Sequence, residues 1–171
     1  MRIASVSKAG HFSSLILLAA LAACVSTQDR FTRAFEAEQD GDLYRAARAY
    51  AEVLRRDPDF RDARRRFEDT ARDAADSLYV GAARDGQRER YGDAVQKLDD
   101  LAALRVLAGE FGVALPLPDG YEARYAAMSE NAVRALLRDA ERNAERGRFE
   151  QADAAYAAAY RYPMPAALRD D

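Results

Sequence analysis

The sequence predicts an all-α fold: a solenoid of about three helical hairpins, two of them with elongated first helices. Three observations predict it. Apolar residues recur three and four apart from Phe31 onward, which marks amphipathic helices. Alanine, arginine and glutamate, which favour helix, dominate, and β-branched residues are few. An alanine followed four residues later by a large apolar residue occurs at Ala46/Tyr50, Ala94/Leu98 and Ala152/Tyr156.

Residues 1–23 stand apart from this pattern. Arg2 and Lys8 form a positive start, and Leu15 to Ala23 form an uncharged apolar run. That run is shorter than the roughly 20 residues a bilayer span needs, so the pattern is that of an export signal. It ends in Leu21-Ala22-Ala23-Cys24, which resembles a bacterial lipobox, and Cys24 is the one cysteine of the chain. The resemblance implies a diacylglyceryl group on the Cys24 thiol, cleavage before Cys24 and acylation of the new amino group. Val25 stands where aspartate resembles an inner-membrane retention signal in Gram-negative lipoproteins. The resemblance therefore implies a cell-envelope protein on the outer membrane, facing the periplasm. Residues 24–29 are read as an acylated tether, 30–163 as the helical domain and 164–171 as a tail.

The first hairpin is the clearest. Leu43, Ala46, Ala47, Tyr50, Val53 and Leu54 form one apolar stripe. Gly41 closes the preceding helix, where a left-handed residue is needed, and Pro58 ends the following one by pushing Asp57 out of the helical region. Gly41, Ala46, Tyr50 and Pro58 resemble the second half of a tetratricopeptide repeat, with Phe31, Ala34, Phe35 and Ala37 in the preceding helix. The small alanine sits where two helices cross closely. The second hairpin places Ala94 and Leu98 in those positions, and the third places Gly147, Ala152 and Tyr156. The alanines are 48 and 58 residues apart rather than 34. Longer first helices, about 61–88 and 121–145, account for the difference, with a loop over 109–120 containing Pro116 and Pro118.

Composition excludes several functions. Residues 1–23 hold Arg2 and Lys8 and no acid, so 24 of 26 basic residues remain against 29 acidic ones, a balance of −5. The charges are interspersed, which argues against nucleic acid as a partner. His11 is the one histidine and lies in the signal. No histidine or free thiol then remains for a zinc site or a triad, and no glycine-rich phosphate loop is present. No metal or cofactor is expected beyond the lipid on Cys24.

The repeat resemblance implies a concave groove lined by the first helix of each pair. In register, Gln28, Phe31 and Phe35 fall there from the first unit, Asp76 and Tyr79 from the second, and Arg134 from the third. Tyr50 and Tyr156 are expected in the core. The reading is a non-enzymatic, lipid-anchored adaptor that holds another envelope protein in outer-membrane assembly, secretion or cell-wall regulation. Two alternatives stay open. One is a cell-wall glycan enzyme using carboxylates such as Glu36, Glu38, Glu141 and Glu145. The other is an amphiphile carrier with a closed pocket at Met128, Leu136 and Leu137.

Overall fold

The computed structural model describes residues 26–163, so Cys24 and the signal lie outside the described residues. These residues form six α-helices and no strand: α1 Thr27–Gln39, α2 Leu43–Arg56, α3 Ala63–Gln87, α4 Tyr91–Glu110, α5 Tyr121–Glu145 and α6 Phe149–Ala159. Each helix packs chiefly on its neighbours in sequence, giving three hairpins, with a smaller contact between α2 and α4.

Helix α1 begins earlier than the tether reading has it. Ser26 Oγ accepts the Asp29 N–H at 3.0 Å, and the Asp29 carboxylate accepts the Ser26 N–H at 3.2 Å. This reciprocal cap satisfies two donors that the first turn leaves open, so the helix starts at Thr27. The elongated first helices are present as α3 and α5, each of 25 residues. Helix α4 is also long, at 20 residues against 14 in α2, and it runs through Gly109 to Glu110 before the loop begins.

The three hairpin turns share one backbone geometry. The N–H of Asp42 donates to the Ala37 carbonyl, Arg90 to Asp85 and Arg148 to Asn143, each bond reaching back five residues. The residue before each donor is left-handed: Gly41 at φ +76°, Glu89 at +59° and Gly147 at +70°. This is the Schellman closure of a helix end. In all three cases the buried alanine (Ala46, Ala94 or Ala152) stands five residues after the left-handed one.

Two apolar clusters lie along the α3–α4 hairpin. The first joins Phe31, Tyr50, Leu54 and Phe67 with Leu104, Ala108 and the returning loop residues Val113 and Leu115. The second joins Ala82, Leu98, Leu101 and Tyr121. Ala75 and Leu78 border both. Helix α5 is displaced along this hairpin. Tyr79 meets residues 119 and 124, and Gly86 meets Met128, so α5 runs in the same direction as α3 and continues past its end.

Candidate functional site: a cleft at the second hairpin turn

The structure disperses the residues expected in the groove. Phe31 is buried, edge-on to Tyr50 at 5.6 Å between ring centroids, so it belongs to the first core and not to an open surface. Phe35 is partly exposed under the Arg66 guanidinium, 4.8 Å from its ring centre. Gln28 and Asp76 are exposed, and Gln28 donates to Thr32 Oγ1 at 3.3 Å. The Tyr79 hydroxyl donates to the Asp119 carbonyl at 2.9 Å, and Arg124 covers its ring at 4.5 Å, which fixes the start of α5. Arg134 is exposed and paired with Glu130 at 2.6 Å. It stands ten residues beyond Arg124, about 15 Å further along α5, so it does not join Tyr79 in one site.

Tyr156 differs from the expectation of burial. It is 39% exposed, whereas Tyr50 is fully buried. The Tyr50 hydroxyl donates to Glu38 at 2.6 Å, and Arg66 donates to both oxygens of Glu38 at 3.0 Å, so α1, α2 and α3 meet at one polar knot. Burial, with the Glu38 carboxylate next, pushes the Tyr50 pKa upward. Glu38 is thus held structurally, while Glu36, Glu141 and Glu145 are exposed on helix surfaces. Among the described residues no group of histidine, cysteine, aspartate and glutamate could hold a metal ion.

A different place combines a cavity, a strained backbone and a buried charge. Between the second hairpin turn and the middle of α5 lies a cleft of about 290 Å³. Ala132, Ala135 and Leu136 supply apolar surface, Tyr91 and Tyr162 supply rings, and Glu89, Arg90 and Asp93 supply charge. Glu89 holds a left-handed conformation that costs an L-residue about 1–2 kcal/mol and that glycine takes in the other two turns. Gly92 admits the Tyr162 hydroxyl, which would stand 3.1 Å from a Cβ at that position.

Beneath the turn, Asp85 is almost wholly buried. Lys97 Nζ donates to one of its oxygens at 2.6 Å, and Arg90 donates to the other. The Lys97 hydrogen bond is the main cause that lowers the Asp85 pKa; burial opposes it, and Arg90 adds to it. Lys97 reaches Asp85 across Gly81, where a Cβ would lie 3.0 Å from the lysine stem. Asp85 and Lys97 stand one on each helix, so the pair fastens α3 to α4 and holds the turn that forms one wall of the cleft. Sequence reasoning missed this cleft. Two signals were available: Glu89 stands where the other turns have glycine, and Lys97 is the one lysine after the signal.

Of the three residues proposed for a closed amphiphile pocket, Leu136 borders this open cleft and Met128 packs on the second core and Gly86. No family model matches the chain, and no curated protein or solved structure matches it. Among the described residues no helix is long and apolar enough to cross a membrane.

Proposed function

We propose that the chain is a lipid-anchored adaptor of the cell envelope, built on tetratricopeptide-like hairpins and carrying no catalytic machinery of its own. The observation that supports the repeat reading most is the recurrence of one turn geometry at residues 41, 89 and 147, each followed at the same distance by a buried alanine. Recurrent hairpins give an extended surface whose parts can diverge without disturbing the stack. The anchor rests on the Leu21-Ala22-Ala23-Cys24 motif. Confinement to a membrane raises the effective concentration of any partner held in the same layer.

The partner's contact is assigned to the cleft at the second turn. Its alanine and leucine floor takes an apolar side chain. The Tyr91 and Tyr162 rings add area at small entropic cost. Glu89 and Arg90 at the edge select a segment carrying a polar or basic group beside that side chain. Strain held at Glu89 fits a recognition element better than a purely structural turn.

Two measurements test the proposal. Metabolic palmitate labelling of cells expressing the full chain should mark the processed protein and vanish with Cys24→Ser. In-cell cross-linking in the envelope should capture a discrete partner, and Leu136→Glu should abolish capture while leaving labelling unchanged. An unlabelled protein removes the anchor. Labelled protein whose partner survives Leu136→Glu removes the cleft.

A further inference from the structure

Two adjoining cavities of unlike character lie along α2. One, of about 450 Å³, is lined by Arg33 of α1 and by Tyr44, Arg45, Arg48 and Glu52 of α2. The other, of about 310 Å³, lies between α2 and α4, with Ala103, Leu104 and Leu107 on the α4 side. Tyr44, Arg48 and Glu52 border both. The Arg48 guanidinium stands 5.7 Å from the centre of the Tyr44 ring. The acids of this face are engaged. Glu52 accepts Arg30 at 2.9 Å, and Asp42 accepts the Arg45 N–H at 3.2 Å as the cap of α2. Asp100, which faces the Tyr44 hydroxyl, accepts Gln96 at 3.1 Å. Arg33, Arg45 and Arg48 are exposed and take part in no ion pair among the described residues, whereas Arg55, further along α2, is held by Glu110 at 2.7 Å. The whole chain carries a net charge of −3, so three uncommitted guanidiniums on one cavity run against its overall balance.

We infer that this trough binds an acidic segment of a partner protein, extended along α2, with carboxylates on Arg33, Arg45 and Arg48 and an apolar side chain between Tyr44 and Leu107. The contact is separate from the cleft at the second turn and does not depend on lipidation. It also lies chiefly on a second helix, whereas the groove implied by the repeat resemblance is lined by first helices. The planar guanidinium presents paired donors that match the two oxygens of a carboxylate. Length agrees with a short peptide: Arg45 to Arg55 spans about 15 Å at about 1.5 Å per helical residue, which about five extended residues cover at about 3.3 Å each. The apolar cavity beside the arginines distinguishes a peptide from a small inorganic anion, which would leave Leu104 and Leu107 unused. Asp42, Glu52 and Asp100 interrupt the basic face, which suits spaced carboxylates and opposes the continuous phosphates of a nucleic acid. The arginines are exposed, so the attraction is screened by salt.

The test uses fluorescence anisotropy of a rhodamine-labelled peptide, Glu-Glu-Leu-Glu-Glu, with protein purified in detergent from cells expressing the full chain. The peptide should bind, and added salt should weaken it. Replacing all its glutamates by glutamine should cost about tenfold in affinity, and so should Arg45→Glu combined with Arg48→Glu. Replacing its leucine by serine should weaken binding several-fold. Arg138→Glu combined with Arg146→Glu reverses two exposed arginines of the third hairpin and should change the affinity less than about twofold. Helical circular dichroism should be kept in both double variants, and the glutamine peptide gives the same comparison on the unsubstituted chain. Absence of binding by the glutamate peptide overturns the inference. Equal losses in the two double variants also overturn it, because attraction to total charge is then the cause. Glycerol phosphate that displaces the peptide as effectively as unlabelled peptide, at fixed ionic strength, overturns it in favour of a phosphate head group. Undiminished binding of the serine peptide removes the apolar cavity from the contact.

Discussion

The first and third hairpins carry the same turn, the same small residue after it and the same tyrosine four residues further on, yet they treat that tyrosine in opposite ways. Tyr50 is sealed among Phe31, Glu38 and Arg66, whereas Tyr156 stands partly in solvent. The difference lies outside the hairpins. Helix α3 begins on the flank of the first, while α5 slides along α3 and leaves the far half of the third hairpin without a described neighbour. A repeat motif specifies how two helices close on each other. What covers their outer face depends on the segment that follows.

The sharpest way to break this contrast is Tyr50→Ala. It should destabilise the domain by about 3–5 kcal/mol, as truncation of a buried aromatic does, read as a fall in the urea midpoint. Tyr50→Phe keeps the volume and isolates the hydroxyl. Because burial and Glu38 raise the folded pKa of Tyr50, its contribution is complete below the unfolded value of 10.0 and falls as pH rises through the folded one. The alkaline loss of stability should therefore be shallower in Tyr50→Phe, and equal slopes would remove this assignment.

Asp85→Ala comes next. It leaves Lys97 and Arg90 facing a buried gap, but both cations already reach solvent, so the expected cost is about 2 kcal/mol rather than the full penalty of a broken buried pair. Its pH signature has the opposite sign to that of Tyr50. The folded pKa is lowered, so the stabilisation is present above the unfolded value of 3.8 and is lost as pH falls through the folded one. Acid melts of the unsubstituted chain and of Asp85→Ala should converge.

Tyr156→Ala, at the matched position, should cost about 1 kcal/mol or less, as changes at partly exposed sites do. A loss equal to that of Tyr50→Ala would erase the contrast. The smallest effect belongs to the second turn. Glu89→Gly relieves a left-handed glutamate and should raise thermal stability by about 0.5 kcal/mol, once the greater freedom of unfolded glycine is set against the relief. The same change should weaken partner capture, because the carboxylate at the edge of the cleft is lost.

Helix content was legible because spacing three and four apart, together with an alanine-rich composition, leaves no competing strand pattern. The turn at Gly41 and the end at Pro58 were legible because glycine and proline restrict backbone angles locally. The start of α1 was encoded in Ser26 and Asp29, a local cap that a search for apolar spacing passes over. The candidate site was not legible. Phe31 and Phe35 are four apart on one helix, but which of them is buried depends on where Tyr50 and Arg66 arrive. The cleft joins residues 89–93 to residues 132–136 and to Tyr162, separations that no local pattern encodes. The offset of α5 along α3 creates it, and that offset is set by tertiary contacts such as Tyr79 with Asp119.

The α3–α4 hairpin contributes to both apolar clusters, and Ala75 and Leu78 border each of them. Cooperativity between the two ends of the domain is therefore transmitted along this pair of antiparallel helices. Packing lost in the first cluster therefore reaches the side of the domain that carries the cleft by way of the α3–α4 hairpin.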